Sequence, residues 1–224
     1  VIDTANTSTY DTDVDVETLT VTAVRLGSSE GSGTAGTVGS ALTGTYGQLT
    51  LNSNGSYTYV ANQTAADNLD AGDVVTDTFN YTVSDGTASD IAVITITVIG
   101  INDAPSAQND VGVITEDATL TVTNGANATL TGTYDATGEN SGDLIDTSSS
   151  SHTDSDSDAS DSLTITQIKK SGGSNSAVGI GSPYNSSGTQ VTGTYGTLTI
   201  GADGSYTYAA TQDAADVLDV GESA

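Results

Sequence analysis

The sequence predicts an all-β chain built of tandem antiparallel β-sandwich modules, each of them incomplete within this segment. Three observations carry that reading. GTYGQLTLNSNGSYTYVANQTAADNLDAG, Gly44 to Gly72, returns without a gap as GTYGTLTIGADGSYTYAATQDAADVLDVG, Gly193 to Gly221. Short runs alternate Thr with Val, Ile, Leu or Tyr, the period of a strand with one buried face. Asn-Gly and Asp-Gly pairs separate those runs, and both tolerate the positive φ of tight turns. An offset of 149 residues, read from Gly44 to Gly193, is the size of a domain rather than of a solenoid coil.

Composition narrows the possibilities. The 224 residues hold 3 Lys+Arg against 29 Asp+Glu, a net charge of −26. Nucleic acid and anionic membrane surfaces are excluded as partners, since both need basic patches. There is no Cys, so neither disulfides nor thiolate metal sites exist, and stability outside a cell must come from packing or bound ions. Hydrophobic content is 35%, low for a globular chain. The alternating Thr/Val/Ile/Tyr runs nevertheless favour ordered β modules over disorder. No apolar run is long enough to span a bilayer, and no signal or lipidation motif is present.

In chain order, Ile2-Asp3-Thr4 matches Ile145-Asp146-Thr147, and each leads into an acidic tract. The first, DTDVDVETLTVTAV, carries Asp11, Asp13, Asp15 and Glu17; the second, DSDSDASDSLTITQI, carries Asp154, Asp156, Asp158 and Asp161. Each tract ends in a predicted half-buried strand, Leu19-Thr-Val21 or Leu163-Thr-Ile165. Gly/Ser-rich stretches of unequal length follow, as expected of exposed loops. The shared block then predicts a hairpin in each copy, turning at Asn54-Gly55 and Asp203-Gly204. One helical turn closed by Gly72 comes next, then a strand with Phe79, Tyr81 and Val83 on one face. That placement of Tyr81 is similar to the tyrosine corner of Ig-like sandwiches. Asp85-Gly86 turns the chain into IAVITITVI, Ile91 to Ile99, expected as a strand buried on both sides.

GINDAP, Gly100 to Pro105, is the one convincing linker, its Pro forcing the preceding residue to be extended. The expected division is a first sandwich repeat at 1–101, a linker at 102–106 and a second repeat at 107–224. VGVITEDATLTVT, Val111 to Thr123, opens the second repeat and has no counterpart in the first. TDTFNYTVSDG and IAVITITVI have no counterpart in the second. Half a sandwich leaves an open sheet edge, so neighbouring sequence or a neighbouring chain is expected to supply the missing strands.

The blocks LTGTYGTLTIGADGSYTYAATQDAADVLDVGE, TFNYTVSDG and TITVIGINDAP resemble the VCBS-type, cadherin-like (Ig-like) tandem repeats of large bacterial RTX-type surface adhesins. The resemblance spans nearly the whole chain, with its blocks in the right order. It implies calcium-stiffened β-sandwiches, exported by type I secretion to the bacterial cell surface or matrix, sometimes beside polysaccharide-binding modules. The chain departs from the common repeat in spacing: the Gly/Ser loops and residues 125–151 read as insertions.

Chemistry concentrates in the carboxylates. Ca²⁺ takes six to eight oxygen ligands, and an extended Asp-x-Asp-x-Asp run sets alternate carboxylates on one side, roughly 7 Å apart. Asp11, Asp13 and Asp15, and Asp154, Asp156 and Asp158, are therefore candidate Ca²⁺ ligands. Asn102 and Asp103, with Asp85, resemble the linker ligands of cadherin-type boundaries; Glu116 and Asp117 resemble the acidic residue of the first strand. Neither tract is an EF-hand, whose sixth and twelfth positions would fall on Val16 and Thr22 or on Ala159 and Ile165. The alternative is a solvated acidic face, because two such charges in water repel by only about 0.6 kcal/mol. The pairs Tyr57/Tyr59 and Tyr206/Tyr208 are either cross-strand packing or a stacking platform for sugar rings. His152 lies in a Ser/Asp tract with no nucleophile motif beside it, and no G-x-S-x-G elbow occurs.

The expectation is thus a non-enzymatic structural repeat segment of a large secreted or surface-attached bacterial adhesin or matrix protein, with Ca²⁺ stiffening module boundaries. Its expected partners are neighbouring repeats, other copies of itself, or surface polysaccharide, with no nucleic acid and no membrane insertion. Two alternatives remain: a self-assembling filament, sheath or surface-layer subunit that exchanges strands, and a polysaccharide-binding module.

Overall fold

A computed structural model describes residues 1–2, 11–15, 17–125, 129–131, 142–145, 152–180 and 183–218. The chain divides into two compact units: residues 1–103 with 157–160, and residues 104–156 with 161–224. The two units are described separately below.

The first unit contains β1 (Thr20–Leu26), β2 (Ala35–Gly36), β3 (Ala41–Thr43), β4 (Gln48–Leu51), β5 (Tyr57–Val60), the single turn α1 (Thr64–Asp67), β6 (Val74–Ser84) and β7 (Ser89–Ile99). All ladders are antiparallel, in one sheet of order β2-β1-β6-β7 and another of order β3-β4-β5. Period-2 alternation aims Leu49 and Leu51 of β4, and Phe79, Tyr81 and Val83 of β6, into one shared core, and a register shift between Val21 and Ala23 lets both Val21 and Val24 of β1 join it. Phe79 is fully buried, its ring edge-on to Tyr59 at 6.5 Å between centroids. The architecture is the expected all-β sandwich.

The second unit contains β8 (Thr119–Val122), β9 (Thr129–Thr131), β10 (Gln167–Ile168), β11 (Ser176–Ala177), the turn α2 (Tyr184–Ser187), β12 (Thr189–Thr192), β13 (Thr197–Ile200) and β14 (Tyr206–Ala209). Its main sheet runs β12-β13-β14-β8-β9. The three strands β12-β13-β14 repeat β3-β4-β5 in register: Leu49 faces Tyr59 as Leu198 faces Tyr208, and Leu51 faces Tyr57 as Ile200 faces Tyr206. Both hairpins turn through glycine in the left-handed region, Gly55 at φ 82° and Gly204 at φ 83°. Each glycine also seats an isoleucine: a Cβ on Gly55 would lie 2.6 Å from the Ile2 nitrogen, and one on Gly204 2.8 Å from the Ile145 nitrogen. The sequence match of Ile2 with Ile145 is therefore a match of docking position.

Three expectations change. IAVITITVI is not buried on both sides: β7 is the edge of its sheet, and only Ile94 is buried, while Val93 and Ile99 face outward. β-Branched density alone does not separate an edge from a centre. Leu163-Thr-Ile165 does not form a strand, and only Gln167–Ile168 pairs, with Ser176–Ala177. Its counterpart β1 is held along its length by β6, for which the second unit has no equivalent among the described residues. Ile165 keeps the same anchor all the same, its N–H donating to Ala202 at 2.9 Å as Val21 donates to Ser53 at 2.8 Å. Tyr81 is not a tyrosine corner, since its hydroxyl donates to the Asp11 carboxylate at 3.1 Å rather than to upstream backbone.

Candidate metal centre

The register of β1 on β6, with Thr20 opposite Ser84, carries the acidic tract before β1 past the turn that joins β6 to β7. Asp85 sits in that turn and is fixed by it, its Oδ1 accepting the Thr87 N–H at 2.6 Å and the Ala88 N–H at 2.7 Å. Those backbone donors hold its carboxyl below the usual range, with a smaller contribution from Asp13. Asp13, Asp15 and Glu17 converge beside it, each offering a carboxylate oxygen within 4.8 Å of the others. The Asp15 N–H donates to Asp13 Oδ1 at 2.8 Å, bending the tract so that carboxylates that would stand apart in a straight strand gather. Glu17, itself exposed, is pushed up, first by a side-chain hydrogen bond with Asp13, then by slight loss of hydration and by repulsion from Asp13 and Asp85.

Of the second tract, Asp158 belongs to the first unit and Asp156 and Asp161 to the second. The group of Asp13, Asp15 and Glu17 fits a hard divalent cation. The donors are all oxygen, and two oxygens about 2.4 Å from a Ca²⁺ can stand at most about 4.8 Å apart. Three carboxylates leave positions for bidentate binding, carbonyls or water.

The other candidate residues lie elsewhere. Asp11 is engaged by Tyr81, whose hydroxyl is pushed up to about 12 by burial and then by the neighbouring Asp11 charge. Asn102 donates to the Asp103 carbonyl, and the Asp103 N–H donates to Asp158 Oδ2 at 2.7 Å. Asp154 is buried and accepts the Gln108 N–H at 2.7 Å, beside a bridge between Ser106 and Ser155. Glu116 and Asp117 form an exposed turn, Asp117 at φ 61°, and do not join that group. Among the described residues His152 meets the Asn109 carbonyl, at 2.8 Å. Glu17 was visible in its tract but not singled out as a ligand.

Sequence reasoning missed Asp77. It is buried on the inner face of β6 at 3% exposure. Its Oδ1 accepts the Thr45 N–H at 2.9 Å; its Oδ2 accepts the N–H groups of Tyr46 at 3.0 Å and Gly47 at 3.2 Å and the Tyr59 hydroxyl at 2.6 Å. Burial opposes its ionisation, but the Tyr59 hydroxyl and the three backbone donors outweigh that and hold the carboxyl below 3.8. The Gly44–Gly47 loop is thus a carboxylate nest tying one sheet to the other. The signal was available: Asp77 is in phase with Phe79, Tyr81 and Val83.

Two antiparallel sheets over one core, with carboxylates gathered at the strand ends, define the first unit as a β-sandwich repeat module. Residues 1–100 match the family model described as bacterial cadherin-like domain, so this part of the chain is similar to that family. A comparison with curated proteins gives no match. Among the described residues no helix is long and apolar enough to cross a membrane.

Proposed function

We propose that the chain is a structural repeat segment of a large extracellular bacterial protein, an adhesin or matrix component, whose modules take up Ca²⁺ at the acidic tracts and are stiffened by it at their boundaries. The observation that carries this reading is the convergence of Asp13, Asp15 and Glu17 beside Asp85, within a module similar to the bacterial cadherin-like family. Three gathered carboxylates with a fourth, Asp85, beside them repel one another, and a divalent cation relieves that repulsion. The similarity of residues 1–100 to that family also favours a non-catalytic role and an extracellular setting, with type I secretion as the proposed route. The expected affinity is that of extracellular modules, about 10⁻⁴–10⁻³ M.

Calorimetric titration with Ca²⁺ tests the site. Binding should be lost from the first module in Asp13→Asn/Asp15→Asn, and an unchanged isotherm would remove these residues as ligands. Stiffening has its own test, since small-angle scattering in chelator and in millimolar Ca²⁺ should give different particle dimensions.

Strand exchange is a second reading with an observation behind it. β14 is flanked by β13 and β8, whereas β5, its counterpart, has β4 as its one ladder partner among the described residues. Tyr57 and Val60 are correspondingly exposed, at 46% and 56%. A sugar platform draws less support: Tyr206 is buried, and Tyr59 is held by Asp77.

A further inference from the structure

The nest that holds Asp77 exists twice, and only one copy holds a carboxylate among the described residues. In the second unit Gly193, Thr194, Tyr195, Gly196 and Tyr208 stand where Gly44, Thr45, Tyr46, Gly47 and Tyr59 stand in the first. The loop has the same conformation. Gly193 donates to the Gly196 carbonyl at 2.8 Å, as Gly44 does to Gly47 at 2.7 Å. Gln212 donates to the Tyr195 carbonyl at 3.3 Å, as Gln63 does to Tyr46 at 3.3 Å. A Cβ on Gly196 would meet the Ala209 carbonyl at 2.4 Å and the Tyr208 ring at 2.6 Å; on Gly47 it would meet the Val60 carbonyl at 2.4 Å and the Tyr59 ring at 2.5 Å.

The difference is confined to the space in front of the nest. A Cβ on Gly44 would strike Asp77 Oδ2 at 2.4 Å, whereas on Gly193 it would meet nothing nearer than the Gly196 carbonyl at 3.3 Å. Among the described residues, no acceptor meets the N–H groups of Thr194, Tyr195 and Gly196 or the Tyr208 hydroxyl. The stretch Leu163 to Ile168 also lacks, among the described residues, the ladder partner that β6 gives to β1.

We propose that the Gly193–Gly196 loop and the Tyr208 hydroxyl form a preorganised carboxylate receptor for an incoming β-strand of the β6 kind, one with Asp two residues before an inward aromatic. The strand pairs with the Leu163–Ile168 stretch, and its Asp docks into three N–H groups and one O–H already in place. Recognition is by charge-assisted hydrogen bonds inside a closing core, where each counts for more than at an open surface. This inference is independent of Ca²⁺.

The test adds a synthetic Asp73–Gly100 peptide, which carries β6 and β7, to the full chain in the presence of chelator, and follows amide exchange. Protection is expected at Thr194, Tyr195 and Gly196. A peptide with Asp77→Asn should bind at least tenfold more weakly, and Tyr208→Phe in the chain should also weaken binding. Gly193→Ala, whose Cβ fills the carboxylate space, should abolish binding while leaving the chain's own unfolding nearly unchanged. No protection at millimolar peptide, equal binding of the Asn peptide, or protection at Thr45–Gly47 instead would each overturn the proposal.

Discussion

At the scale of single residues, the two copies of one loop serve as controls for each other. Gly44→Ala places a methyl on the Asp77 carboxylate, which must then leave its four donors inside the core. A broken buried network of this kind costs about 3 kcal/mol. That is roughly 12–24 °C in melting temperature for a module of this size. Gly193→Ala meets no carboxylate and only the Gly196 carbonyl at 3.3 Å, which must give by a few tenths of an ångström, so it should cost no more than about 1 kcal/mol; differential scanning of the two variants checks the contrast. Asp77 also sets an acid limit. Its folded carboxyl is depressed, so its stabilisation is present above 3.8 and is lost as pH falls through the folded value. Acid titration of Asp77→Asn, followed by unfolding, should show a flatter loss of stability below that pH than the parent. Asp77 escaped sequence reasoning because an acidic residue in a strand is ordinarily placed on the solvent face. Only its phase with Phe79 betrays it, and phase is weaker evidence than residue type unless the partner loop is known.

At the scale of elements, the hairpins were legible because turn chemistry and alternation agree within a dozen residues. Edge and centre were not, because the position of β7 depends on which strands pair beyond it. The same non-local dependence explains why one acidic tract runs into the seven-residue β1 and the other into the two-residue β10. Packing follows pairing. Leu49 is 1% exposed between two sheets, while its counterpart Leu198 is half-buried. Leu49→Ala should therefore cost about 3 kcal/mol and Leu198→Ala about half of that or less. Denaturant titration of the two variants measures both, and equal losses would mean that the second core is as closed as the first. The acidic groups were half legible for a related reason. Asp13, Asp15 and Asp85 were readable as oxygen donors, but their meeting depends on the Asp13 side chain turning the tract back and on the register that carries it past Asp85.

At the scale of the whole molecule, the question is whether Ca²⁺ acts as a ligand or merely as a counterion. A chain of net charge −26 repels itself, and any salt relieves part of that repulsion. Screening depends on ionic strength alone, and at 0.1 M the Debye length is already about 10 Å. A site depends on the identity of the cation: Mg²⁺ holds to a tight octahedron and keeps its water, whereas Ca²⁺ accepts crowded, irregular carboxylates. With a dissociation constant near 1 mM, 10 mM Ca²⁺ should stabilise a module by about 1.4 kcal/mol through binding alone. The expected result in 0.15 M NaCl is therefore an upward shift of roughly 5–10 °C on adding 10 mM CaCl₂, with far less from 10 mM MgCl₂ or from NaCl of matched ionic strength. In Asp13→Asn/Asp15→Asn the transition of the first module should lose its Ca²⁺ dependence while the transition of the second keeps its own. Equal shifts from all three salts would make the carboxylates a solvated surface, and the carboxylate that organises the first module would then be the buried Asp77 alone.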